Sequence, residues 1–125
     1  MTTEEKIVQN ELFRARTKAA ALRIIKLYQQ LPRSGEAEVL GKQLLRSATS
    51  VAANYRAACR GRSAAEFFAK LSICVEEADE TQLWLELLGD ANIVSKERLA
   101  DLENEYAQIT AILTKARKTA SSKSN

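Results

Sequence analysis

The sequence contains no histidine, one proline (Pro32) and four glycines in 125 residues. Without histidine, the Glu-x-x-His ligand pattern of ferritin-like di-iron bundles is excluded. So little proline and glycine removes the turn chemistry an all-β fold requires and favours long helices. The two cysteines, Cys59 and Cys74, show no C-x-x-C spacing and have no histidine partner, so they read as core packing. No apolar run is long enough to span a bilayer, and the opening MTTEEK carries acids where a secretory signal carries a positive region. These absences lead to the expectation of a soluble, cytoplasmic protein with reduced thiols, no membrane contact, no cofactor and no metal.

What is present is charge in blocks. Net charge is only +3, from 19 basic and 16 acidic side chains. From Leu40 to Lys70 there are six basic residues and one acid, and from Leu71 to Asp90 there are six acids and no base. The hydrophobic fraction, 46%, is that of a globular chain, and the length suits one core.

The apolar periodicity predicts four helices. The first runs from about Thr3 to Leu31, with Phe13, Thr17, Ala20, Ile24, Leu27 and Leu31 on one face and Pro32 as its stop. Val8, Ala15 and Leu22 lie one heptad apart on its other side, which predicts a subunit interface. Ser34 caps a second helix, Glu36 to Arg60, whose core face is Leu40, Leu44, Ala48, Val51, Tyr55 and Cys59. Gly61 is expected as a left-handed C′ residue. Ser63 and Glu66 form a capping box, in which the glutamate should return to the serine amide. The third helix carries the most regular seam, Phe67, Leu71, Cys74, Ala78, Thr81, Leu85 and Leu88, and predicts antiparallel packing near the coiled-coil angle. Asn92 is the expected left-handed cap. Ser95 starts a fourth helix with Leu99, Leu102, Tyr106, Ile109 and Leu113 inward. The resulting expectation is an all-α, up-down-up-down left-handed four-helix bundle over residues 1–119, with residues 120–125 as a disordered tail.

The segments Gln43-Leu44-Leu45-Arg46-Ser47, Ser50-Val51, Ala53-Asn54-Tyr55-Arg56 and Glu77-Ala78-Asp79-Glu80-Thr81 strongly resemble the bacterial four helix bundle protein family. That family includes proteins encoded in intervening sequences of 23S ribosomal RNA genes, and the accessory protein of diversity-generating retroelements is similar. The resemblance covers about residues 12 to 115. It implies a ring-shaped homopentamer and a nucleic-acid or ribonucleoprotein role, and it carries no catalytic residue across.

Three constellations bear on function. Lys42, Arg46, Arg56 and Arg60 form a stripe about 27 Å long down the second helix, suited to RNA or DNA phosphates. Its alternative reading is a set of ion pairs with the acids of the third helix. Ile73, Trp84 and Leu87, interleaved with Glu77 and Glu80, suit an oligomer interface or an unidentified protein partner, with a partly covered Trp84 lying against the fourth helix of its own bundle as the alternative. Glu76-Glu77-Ala78-Asp79-Glu80 matches half of the magnesium motif of all-α nucleotide pyrophosphohydrolases, but the second half, E-x-x-D, is missing. The function read from these features is a non-enzymatic oligomeric bundle that binds nucleic acid. A protein-binding adaptor or scaffold is the alternative, and a Mg-dependent hydrolase the third reading.

Overall fold

The structure, a computed structural model, describes residues 1–124. Four helices follow in order: α1 (Thr3–Gln29), α2 (Gly35–Cys59), α3 (Ala64–Asp90) and α4 (Lys96–Ser124). They form an up-down-up-down four-helix bundle. Each helix meets the two beside it; α2 and α3 make the most extensive seam, and α1 and α4 the sparsest.

The core is built from the faces that the periodicity picks out. Leu44, Ala48 and Val51 of α2, Leu71, Cys74, Ala78, Leu85 and Leu88 of α3, and Leu99, Tyr106, Ile109 and Leu113 of α4 are all buried. Burying each such leucine or isoleucine contributes about 1.5–3 kcal/mol. Phe13, Leu31, Leu40, Cys59 and Phe67 pack around this centre half-buried. α1 is buried only from Thr17 onward; before Phe13 none of its side chains is buried.

The caps explain where the helices begin and end. The Ser34, Ser63 and Ser95 hydroxyls accept from the amides of Ala37, Glu66 and Arg98. The Glu66 carboxylate accepts from the Arg62 amide at 2.6 Å, one residue ahead of the serine amide expected for a capping box. Gly61 also departs from expectation, because it has no positive φ. A Cβ there would lie 3.1 Å from the Ala58 carbonyl oxygen and 3.4 Å from the Phe67 amide nitrogen, so any other residue would crowd the corner. At the far end Asn92 takes φ 59° as expected. The Ile93 amide donates to the Leu88 carbonyl and the Asn92 amide to Gly89, a Schellman closure of α3.

α4 continues through Ser124, so residues 120–124 are helical where a disordered tail was expected; Asn125 lies outside the described residues. The reason is packing: Ala120 falls one heptad beyond Leu113 on the same seam and is buried.

The α2–α3 register is held by polar groups inside the core. Ser47 and Thr81 are fully buried, and their oxygens lie 2.8 Å apart. Each hydroxyl also faces a carbonyl of its own helix, Leu44 at 3.2 Å from Ser47 and Glu77 at 2.8 Å from Thr81, so one proton lies between the two oxygens and the other goes to a carbonyl. The Cys74 thiol donates to the Val51 carbonyl at 3.8 Å, and burial pushes it up to about 12. At neutral pH it is therefore a packed thiol, not a thiolate. Across the sparse seam, Arg16 of α1 makes two bonds to Glu105 of α4, at 2.9 and 2.8 Å, and a third to Gln108.

Two predictions follow from these polar contacts. Thr81→Val should destabilise the fold by about 1 kcal/mol, and Ser47→Ala with Thr81→Val by less than the sum of the single changes. Chemical denaturation checks this, and strict additivity would contradict it. The Arg16 bonds hold the Glu105 carboxyl below its ordinary 4.5, so their stabilisation is present above that pH and is lost as pH falls through the lowered value. The stability difference between wild type and Glu105→Gln should accordingly be present at pH 7 and vanish in strong acid.

Candidate nucleic-acid interface

The antiparallel register decides the fate of each cation on α2. Ser47 faces Thr81 and Val51 faces Cys74, so Arg46 falls opposite the acidic centre of α3. Its guanidinium meets Glu77 at 2.7 Å and Glu80 at 3.1 Å, and also bonds Gln43. Glu77 is nearly enclosed beneath it, with 13% of its side chain exposed. Hydrogen bonding with Glu77 raises the Glu80 carboxyl above its ordinary range, and Arg46 opposes that shift. One guanidinium thus serves two crowded carboxylates and has little charge to offer a ligand. Lys42 pairs with Glu38 one turn back, at 3.0 Å, on the open surface.

Arg56 and Arg60 are different. They lie opposite the first turns of α3, where the acid is Glu66, turned to the Arg62 amide. Both project into a groove of about 600 Å³ between α1 and α2. Arg14 and Lys18 of α1 line its other wall. Among the described residues none of these four cations meets an acid within ion-pair distance. The floor is Ala15, Ala52 and Ala53, small enough for the helices to approach closely. Positions 11, 14, 15 and 18 share one face of α1, and 49, 52, 53, 56 and 60 one face of α2. Each wall therefore carries two cations one turn apart, about 6 Å along the axis. The floor has no aromatic ring on which a base could stack. The chemistry available is attraction of several phosphates without base recognition.

The structure thus separates the four cations of the sequence stripe: Arg56 and Arg60 join a groove, while Lys42 and Arg46 are ion-paired. Arg14 and Lys18 were missed because each helix was read alone. Their signal was present in the one-turn spacing on the side of α1 that meets α2.

The residues expected at an oligomer interface fall into three groups. Val8 and Leu22 are exposed, 54% and 51%, and Ile7 and Leu12 extend that apolar surface. Ala15, on the same heptad line, floors the basic groove. On α3, Ile73 is exposed, while Trp84 and Leu87 are half-buried. Trp84 lies one turn beyond Glu80, and its buried Nε1 makes no hydrogen bond among the described residues. Beside the apolar end of α1, grooves of about 550 and 430 Å³ open towards α4, sharing Gln9, Ile112 and Ala116. Phe13 packs edge-on against Tyr55 there, with ring centroids 4.8 Å apart. In the acidic run, Glu76 and Asp79 are exposed while Glu77 and Glu80 turn to Arg46. Among the described residues, no three cysteine, aspartate or glutamate side chains converge to hold a metal ion. No helix among them is long and apolar enough to cross a membrane.

The family described as 23S rRNA-intervening sequence protein matches residues 12–115. The chain is also similar to a protein of unknown function from the S23 ribosomal protein family of Bacteroides thetaiotaomicron VPI-5482, solved at 1.70 Å. The two are 35% identical with a TM-score of 0.81, and the match covers 87% of this chain and 97% of that one. No curated protein matches significantly. With the match spanning nearly the whole bundle, the chain belongs to the 23S rRNA-intervening sequence protein family.

Proposed function

We propose that this protein is a non-enzymatic, oligomeric accessory protein that binds nucleic acid through the α1–α2 groove. The observation that carries the reading is the set of four cations, Arg14, Lys18, Arg56 and Arg60, gathered on one groove with no ion-pair partner among the described residues. Arg46, by contrast, is paired with Glu77 and Glu80 of the bundle itself. The family's name, which ties it to intervening sequences of 23S rRNA, fits such a partner. The protein acts in the cytoplasm as a homo-oligomer. The exposed apolar surface of α1 supports assembly, and the family resemblance supports a pentameric ring, which would repeat the groove around its axis.

A protein-binding adaptor is the second reading. It is favoured by the half-buried Trp84 with its unpartnered indole nitrogen, beside the exposed Ile73. On that reading Trp84→Ala dissolves assembly and nucleic acid does not bind.

The deciding experiment is binding of labelled RNA and DNA by fluorescence anisotropy across a salt series. Four neutralised phosphates per groove give a log–log slope of about −3.6 on duplex DNA and about −2.8 on a single strand. Arg56→Gln with Arg60→Gln should reduce the magnitude of that slope by about two and weaken binding at least about tenfold. Arg46→Gln should leave the slope unchanged, because its charge is already matched by Glu77 and Glu80. Equal losses in the two variants, or no binding at low salt, would overturn the assignment of the groove.

A further inference from the structure

One residue in the groove opposes a plain phosphate-binding role. Glu11 lies on the same face of α1 as Arg14 and Lys18, yet among the described residues it forms no ion pair with either. An exposed carboxylate on the wall of a phosphate channel repels the ligand that its neighbours attract. What it suits is a hydrogen-bond donor lying between phosphates, since an ionised carboxylate can only accept. The opposite wall carries a second acceptor. Thr49 also lines the groove, and its hydroxyl proton is committed to its own helix, with Oγ1 2.7 Å from the Leu45 carbonyl and 3.1 Å from that of Arg46. Its oxygen can therefore only accept from a ligand. The groove thus offers cations to phosphates and one acceptor on each wall, Glu11 towards the Arg60 end and Thr49 towards the Lys18 end, while its alanines offer nothing to a base. In a nucleic-acid strand, the donor beside each phosphate is the ribose 2′-hydroxyl, which DNA lacks.

We propose that Glu11, aided by Thr49, makes the α1–α2 groove selective for RNA over DNA by accepting hydrogen bonds from ribose 2′-hydroxyls. This rests on the nucleic-acid reading of the groove and adds a discrimination to it. Glu11 trades affinity for specificity: it weakens every phosphate contact and recovers that loss only when a 2′-hydroxyl is present.

The test uses the intact protein and three single-stranded probes of one sequence built from A, C and G: RNA, DNA and 2′-O-methyl RNA. Binding is measured by anisotropy at one salt concentration. Wild type should bind RNA at least about fivefold more tightly than DNA, a modest yield for one charge-assisted bond. It should bind 2′-O-methyl RNA as weakly as DNA, because the methyl group removes the donor while retaining the ribonucleotide sugar pucker. Glu11→Ala should tighten DNA binding and bring the RNA-to-DNA ratio close to one. Glu11→Gln, which keeps an acceptor oxygen, should tighten both and retain part of the preference. Equal binding of RNA and 2′-O-methyl RNA by wild type would overturn the proposal, as would equal tightening of RNA and DNA by Glu11→Ala. Both results would leave the nucleic-acid reading standing. Absence of binding to all three probes would refute that reading as well.

Discussion

The structure depends most on the register between α2 and α3. A regular apolar seam on α3 allows the two helices to pack antiparallel, but seams of similar leucines can slide by a heptad at modest cost. Buried polar groups cannot. Shifting Ser47 away from Thr81 would lose the bond between the helices and leave each buried hydroxyl with only the carbonyl of its own helix, Leu44 for Ser47 and Glu77 for Thr81. The short corner at residues 60–63 allows the same register, because the Glu66 carboxylate and the compact Gly61 hold the turn closed.

From that register the charge distribution follows. The acidic centre of α3 is brought against Arg46 and pairs with it, while Arg56 and Arg60, nearer the end of α2, turn towards α1. α1 then adds Arg14 and Lys18 from the other side. Two opposite charge blocks of nearly equal size therefore cancel over only part of their length. One end of the α2 stripe is ion-paired and the other, among the described residues, is not. The same α1 that supplies half of the groove leaves its first turns uncovered, with Ile7, Val8 and Leu12 in solvent. The basic groove and the exposed apolar surface thus occupy adjoining faces of one helix.

Much of the fold was legible in the sequence because it is written in local rules. The inward faces, the three serine caps and the left-handed Asn92 all follow from spacing and side-chain chemistry within a few residues. The misreadings arise where tertiary packing overrides a local rule. Gly61 relieves a close backbone approach, which no motif states. The last turn of α4 persists because Ala120 finds the core, which its polar neighbours conceal. The groove was half legible. Arg56 and Arg60 stood out as part of a stripe, but separating them from Arg46 needs the register, and adding Arg14 and Lys18 needs the packing of α1. The acceptors Glu11 and Thr49 gain meaning only once the two walls face each other.

The central claim is that the free positive charge of this bundle lies in the α1–α2 groove and not along the whole of α2. The most direct measurement is differential lysine modification in the presence and absence of excess single-stranded RNA, read by peptide mass. The account predicts strong protection of Lys18, with Lys42 and Lys96, paired to Glu38 and Asp90, modified as before. Protection of Lys42 with Lys18 unchanged would contradict it.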